Sequence, residues 1–175
     1  MKIIAITGMP GSGKGELSRL FQEKGIKVIV MSDVLRERYR AEAKEGERLM
    51  DFAFRMRSLY GKGVVAKMCL EKLSGDEKVV VFDGVRNWEE IEEFKKRGEV
   101  VIINVHASPK TRYERLMRRA RKDDVLTVEG LMKRDFEELE MGIGTVIALA
   151  DHVLVNDKSL EEFKREAEEL INRLI

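Results

Sequence analysis

Gly8-Met9-Pro10-Gly11-Ser12-Gly13-Lys14 follows the apolar run Ile3-Ile4-Ala5-Ile6-Thr7 directly and leads into a stretch carrying Leu17, Leu20 and Phe21 at helical spacing. GxxxxGK between a buried strand and an amphipathic helix is a phosphate-binding arrangement. The glycines let successive backbone amides turn inward around an anion, the helix start adds the positive end of its dipole, and Lys14 adds a point charge. A turn that merely joined strand to helix would have no use for a lysine there. Phosphate contacts are therefore expected from Gly8, Met9, Pro10, Gly11, Ser12, Gly13, Lys14 and Gly15. The hydroxyl residue that usually follows the lysine, and serves as a Mg²⁺ ligand, is replaced by Gly15-Glu16. Glu16 either joins a water-mediated metal shell or points to solvent.

Working outward from this loop, short β-branched runs alternate with long amphipathic stretches, the signature of strand-helix-strand units and a parallel sheet covered by helices. Strands are expected at 3–7, 27–30, 78–82, 100–105 and 152–155, each nearly continuous in apolar residues, as for strands buried on both faces. Helices are expected at about 14–24, 34–45, 51–60, 64–73, 89–97, 110–121, 128–141 and 160–174. Residues 32–74 hold helices and no strand, so they read as a helical insertion and the natural place for a substrate. Val79-Val80-Val81-Phe82-Asp83-Gly84 is an apolar strand ending in an acid. In a parallel sheet Asp83 emerges at the carboxyl edge beside the phosphate loop, where it can hold Mg²⁺ through a water or orient a nucleophile.

Composition narrows the classes. At 175 residues the chain fits one domain, and Lys+Arg 33 against Asp+Glu 32 leaves +1, so anion binding must be local rather than a general affinity for nucleic acid or membrane. Cys69 is the only cysteine, which rules out an internal disulfide and a cysteine-rich zinc site. No apolar run is long enough for a membrane span or signal peptide, and a cytoplasmic protein is expected. Many Lys and Glu with Gln22 as the only glutamine resemble the composition of proteins from hot environments. His106 and His152 have no paired ligand nearby in sequence and are assigned no metal.

The chain resembles adenylate kinase and its relatives among the nucleoside monophosphate kinases over essentially its whole length, and is most similar to an archaeal adenylate-kinase-related group. Gly8 to Gly15 look like that family's phosphate loop. Ser32-Asp33-Val34-Leu35-Arg36 resembles its Gly-Asp-Met-Leu-Arg element, which makes Asp33 and Arg36 acceptor-binding residues with Arg36 gripping the acceptor phosphate. Asp83-Gly84-Val85-Arg86 resembles Asp-Gly-Phe-Pro-Arg one residue shorter, which makes Arg86 the second acceptor clamp. The resemblance implies a P-loop NTPase fold: a three-layer α/β sandwich, a five-stranded parallel sheet in the order 2-3-1-4-5, a helical monophosphate-binding insertion and a short lid. The core would be 1–31, 75–117 and 128–175, the insertion 32–74 and the lid 118–127. The implied activity is transfer of the γ-phosphoryl of ATP, with Mg²⁺, to a small phosphorylated acceptor such as AMP.

The same resemblance assigns arginines to the lid: Arg115 against the ATP, with Arg119, Arg121 and Arg134 over the transferring phosphates. A helix rich in arginine is also a common solvated face, and Tyr113, Leu116, Met117 and Ala120 are expected to face the core. Ala150 to Leu160 looks like the last strand of dephospho-coenzyme A kinases, which keeps that activity open. In adenylate kinases a glutamine four residues after the second clamp reads the base, and here that position is Glu90. A regulatory ATP-binding protein or ATPase of the same fold is the remaining alternative.

Overall fold

A computed structural model describes residues 1–120 and 126–175. The sheet has five parallel strands, β1 (Lys2–Thr7), β2 (Lys27–Val30), β3 (Val79–Asp83), β4 (Glu99–His106) and β5 (His152–Val155), in the order β2-β3-β1-β4-β5. This is the order expected of the P-loop fold. Alternation along the strands builds the layers. Ile3 and Ala5 of β1, Val80 and Phe82 of β3 and Ile102 of β4 point to one core, while Ile4, Ile6, Val81, Ile103 and Val105 point to the other. The second core is closed by α1 (Lys14–Glu23) and α9 (Leu160–Leu174), whose Leu17, Leu20, Phe21, Phe163, Ala167 and Leu170 are buried.

The first core lies beneath α2 (Met31–Glu42), α3 (Leu49–Tyr60), α4 (Val64–Leu70) and α5 (Trp88–Lys95). The first three fill the stretch between β2 and β3, with no strand. The chain then continues through α6 (Pro109–Arg119), α7 (Val128–Met141) and α8 (Ile143–Ala148). The sequence reading has no counterpart of α8, a six-residue helix capped by the left-handed Gly142, which also ends α7. Its pattern is too short to show a period. The helix α2 begins directly after β2, three residues earlier than expected.

Two differences have a physical cause. β5 is the outer strand, and α9 covers only the face that carries Leu154, so Val153 and Val155 remain about half exposed. On α6 the expected inward face is not the buried one. Met117 is exposed, Tyr113, Leu116 and Ala120 are half-buried, and Arg112 is the residue that is buried, at 3% exposure. A carboxylate from α7 draws Arg112 inward, as the next section describes. Among the described residues no helix is long and apolar enough to cross a membrane.

Candidate active site

The site lies at the carboxyl edge of β1 and β3. Gly8 at φ 153° and Gly13 at φ 99° take conformations that side chains avoid. A Cβ at Gly8 would strike the Val105 carbonyl, and one at Gly13 would strike the Asn156 amide. That amide donates to the Ser12 carbonyl at 2.9 Å, so β5 braces the loop from behind. The α1 N-terminus has no side-chain cap, which leaves its first N–H groups facing the loop's interior. Lys14 folds back over the loop, its Nζ donating to the Gly8 carbonyl at 2.8 Å. Burial pushes the Lys14 ammonium down to about 8, against the pull of Asp83, while Arg86 lowers it further and Glu138 raises it.

Asp83 ends β3 opposite Ile6 of β1 and Val30 of β2. Its Oδ2 accepts from the Ser18 hydroxyl at 2.7 Å. Burial holds the carboxyl above the usual range, with Ser18 and Lys14 opposing. Ser18 was not singled out in the sequence, yet it stands one turn after Lys14 on the same helix face. The hydroxyl missing at position 15 is thus present near Asp83 from position 18. Glu16 turns along α1 instead, paired with Arg19 and 3.6 Å from Lys164 of α9.

Lys14, Arg36, Asp83, Arg86, Arg119 and Arg134 all line one open cavity of about 480 Å³, together with loop residues Pro10, Gly11, Gly13 and Gly15. Arg36, Arg86 and Arg134 also line an adjoining cleft of about 440 Å³ between α2, α3 and α7, whose apolar wall includes Leu35, Met50 and Ala53. On the other side, Gly13 and Arg119 are shared with a cleft of about 510 Å³ that runs to Arg115, Asn156 and Lys158. The central cavity therefore opens onto two wings. Its five cations face Asp83 and the diverted Glu16, a balance suited to polyanions.

Not every candidate converges. Asp33 is exposed, lines none of these cavities, and accepts from Arg36 at 3.2 Å, because the first turn of α2 leans it outward. Met9 and Ser12 contribute backbone rather than lining: the Met9 carbonyl accepts from Lys14 and from the Ser12 amide. The Ser12 Oγ is buried without a partner among the described residues. Arg115 donates to the Gly11 and Ser12 carbonyls at 3.3 and 3.4 Å and to the Asn156 carbonyl, so it ties the loop to β5 at the rim of the second wing. Arg121 and the rest of 121–125, half of the expected lid, lie outside the described residues.

Three buried charge groups position the site, and of these only Glu90 has a counterpart in the sequence reading. Arg112 pairs bidentately with Asp135 of α7 at 2.9 and 2.7 Å and also donates to the Pro10 carbonyl at 3.0 Å, joining α6, α7 and the phosphate loop. Glu90, fully buried, accepts from Arg57 at 2.9 Å and from the Arg86 backbone N–H at 2.9 Å. Glu90 thus holds Arg86 in place and is turned away from any base-reading role. Glu138 of α7 stands 3.3 Å from Arg86 Nη1 and is 1% exposed.

Fold and loop together define a P-loop α/β protein with a five-stranded parallel sheet in the order 2-3-1-4-5. The chain belongs to the UPF0200 family. A UPF0200 protein of Sulfurisphaera tokodaii is 74% identical over 175 residues, 100% of this chain and 98% of that protein. Another, from Hyperthermus butylicus, is 47% identical over 98% of this chain and 94% of that protein. These relatives are archaeal proteins from thermophiles. A family model described as an AAA domain matches residues 4–138. The fold is similar to a shikimate kinase from Bacteroides thetaiotaomicron, with TM-score 0.64 and 18% identity over 98% of this chain and 97% of that one. TT1252 from Thermus thermophilus is similar in fold at TM-score 0.63 and 22% identity, covering 99% and 97% of the two chains.

Proposed function

We propose that this chain is an ATP-dependent phosphotransferase that moves the γ-phosphoryl of ATP to a small phosphorylated acceptor, with a nucleoside monophosphate such as AMP as the first candidate. The observation that carries the reading is the shared cavity of Lys14, Asp83, Arg36, Arg86, Arg119 and Arg134, flanked by two wings. Phosphoryl transfer is mostly positioning and charge neutralisation, which such a cavity supplies. The phosphate loop and Lys14 hold the β- and γ-phosphates, with the nucleoside in the Arg115 wing. Arg36 and Arg86 clamp the acceptor's anionic group in the wing between α2 and α7. Arg119 and Arg134 approach the γ-phosphoryl from the opposite side. Residues 32–74 serve as the acceptor-binding insertion and 118–127 as the lid of one kinase domain.

One carboxylate and one hydroxyl, Asp83 and Ser18, fit Mg²⁺, which is ordinarily bound through one or two carboxylates, waters and substrate phosphates. When bound, Mg²⁺ neutralises charge on the phosphate oxygens. A second reading, transfer to a hydroxyl as in dephospho-coenzyme A kinases, is favoured by one group, the buried Glu138 in the acceptor wing.

The test is a phosphotransfer screen at elevated temperature: ATP and Mg²⁺ with each common nucleoside monophosphate, with dephospho-coenzyme A and with no acceptor. A phosphorylated product is expected from one acceptor class, and Arg86→Ala should mainly impair acceptor use. ATP loss that ignores every acceptor would instead make the protein an ATPase.

A further inference from the structure

We infer that Glu138 is the proton acceptor for a hydroxyl nucleophile, so that the acceptor is a phosphorylated alcohol and the product a phosphomonoester. The inference rests on the phosphotransfer reading above and chooses between its two nucleophiles.

Both carboxylate oxygens of Glu138 are buried, and neither receives a hydrogen bond among the described residues. Arg86 Nη1 is 3.3 Å from Oε1, yet none of its N–H groups is aligned on it. A buried carboxylate without donors is unfavourable by well over the strength of an ordinary hydrogen bond, so such a group is expected to meet its donor in a ligand. The place it faces is specific. Glu138 lines the acceptor wing, and it also lines a small chamber of about 60 Å³ with Lys14, Arg86, Arg134 and the loop residues Gly8 and Pro10. A liquid water occupies about 30 Å³, so this chamber has room for a small polar group such as a hydroxyl. It joins the acceptor wing to the place where Lys14 meets the transferring phosphates.

Charge decides what enters. A phosphate oxygen brought against Glu138 would be repelled, whereas a hydroxyl donates to it. The anionic part of the acceptor is better placed toward Arg36, which lines the wing but not the chamber, with Arg86 between the two. Chemistry points the same way: an attacking phosphate oxygen has no proton to lose, while an attacking hydroxyl must lose one, and a positioned carboxylate takes it. The other carboxylates lining the central cavity and the acceptor wing are engaged, Asp83 with Ser18, Glu16 with Arg19 and Glu137 with Arg48. In the step, the acceptor O–H bond breaks and its proton passes to Glu138. The oxygen forms a bond to Pγ, and the bond from Pγ to the β,γ-bridging oxygen breaks, its electron pair leaving with ADP. The proton on Glu138 is then lost to solvent.

The experiment screens phosphorylated alcohols (dephospho-coenzyme A, glycerol 3-phosphate, ribose 5-phosphate) beside the nucleoside monophosphates, with ³¹P NMR separating phosphomonoester from phosphoanhydride products. Wild type is then compared with Glu138→Gln and Glu138→Asp on the best acceptor across pH. The expected result is a phosphomonoester. Glu138→Gln should lower kcat by about 10²- to 10⁴-fold with little change in KM. It should also lose the acid limb of the pH profile, which Glu138→Asp retains with a partial rate. A structural role would instead lower the Tm of both variants and leave that limb in place. A phosphoanhydride product, or a Glu138→Gln variant with wild-type kcat, overturns this inference and leaves the phosphotransfer reading standing. No product from any acceptor overturns both.

Discussion

Arg112→Ala tests whether the phosphate loop is held by the buried ion pair between α6 and α7. Arg112 is 3% exposed and Asp135 8%, so neither charge is well solvated. The guanidinium makes two parallel bonds to the carboxylate and further bonds to the Pro10 and Ala107 carbonyls at 3.0 and 3.2 Å. Alanine leaves Asp135 buried with, among the described residues, only the Tyr113 hydroxyl, 2.7 Å away, as donor. Removing one partner of a buried pair destabilises by about 3–5 kcal/mol, mainly through the charge left behind. In a chain of 175 residues, each kcal/mol moves Tm by about 2–4 °C. Arg112→Ala should therefore melt about 6–20 °C below the parent, measured by calorimetry with urea denaturation as a second route. Because the orphaned charge dominates, Arg112→Met/Asp135→Leu should recover most of the loss. An Arg112→Ala protein within about 0.5 kcal/mol of the parent, the range of ordinary surface substitutions, would refute the reasoning. So would a double variant less stable than the single one.

Two further predictions concern the loop and its neighbours. Lys14 sits at about 8 in the folded protein against 10.5 for an ordinary lysine, so between these values the unfolded chain holds more protons and this group makes stability rise with pH. ATP binding has the opposite sign, since the phosphates favour the ammonium form: affinity by titration calorimetry should fall as pH climbs past about 8, and Lys14→Met should be weak and flat. Ser18→Ala removes the donor that opposes the upward push on the Asp83 carboxyl. The acid limb of any Mg²⁺-dependent activity should then move to higher pH and the Mg²⁺ requirement rise, and Ser18→Thr should restore both.

The parts legible in the sequence are those written locally. Seven consecutive residues specify the phosphate loop because strand, glycines, lysine and helix must be contiguous to cradle an anion. Asp83 was equally plain, as the acid that ends an apolar strand. The helices between β2 and β3 are legible as a long stretch with helical spacing and no strand-like run. What escaped were charges whose meaning depends on a distant partner. Arg112 looks like its neighbours Arg115, Arg118 and Arg119, and only Asp135, 23 residues on, makes it the buried one.

Glu138 carries this argument furthest. It stands in the acidic run Glu137-Glu138-Leu139-Glu140, which reads as a solvated helix face. Helical rotation separates the three acids: Glu140 is exposed, Glu137 reaches Arg48 at the rim of the wing at 3.0 Å, and Glu138 alone turns inward to Arg86. Arg86 is itself fixed from behind, its backbone held by Glu90 and Glu90 by Arg57. A cation so firmly placed beside a carboxylate that receives no hydrogen bond among the described residues is not an arrangement that optimises stability, because well-aligned pairing would have been worth more to the fold. It is the arrangement expected where a substrate group must come between the two.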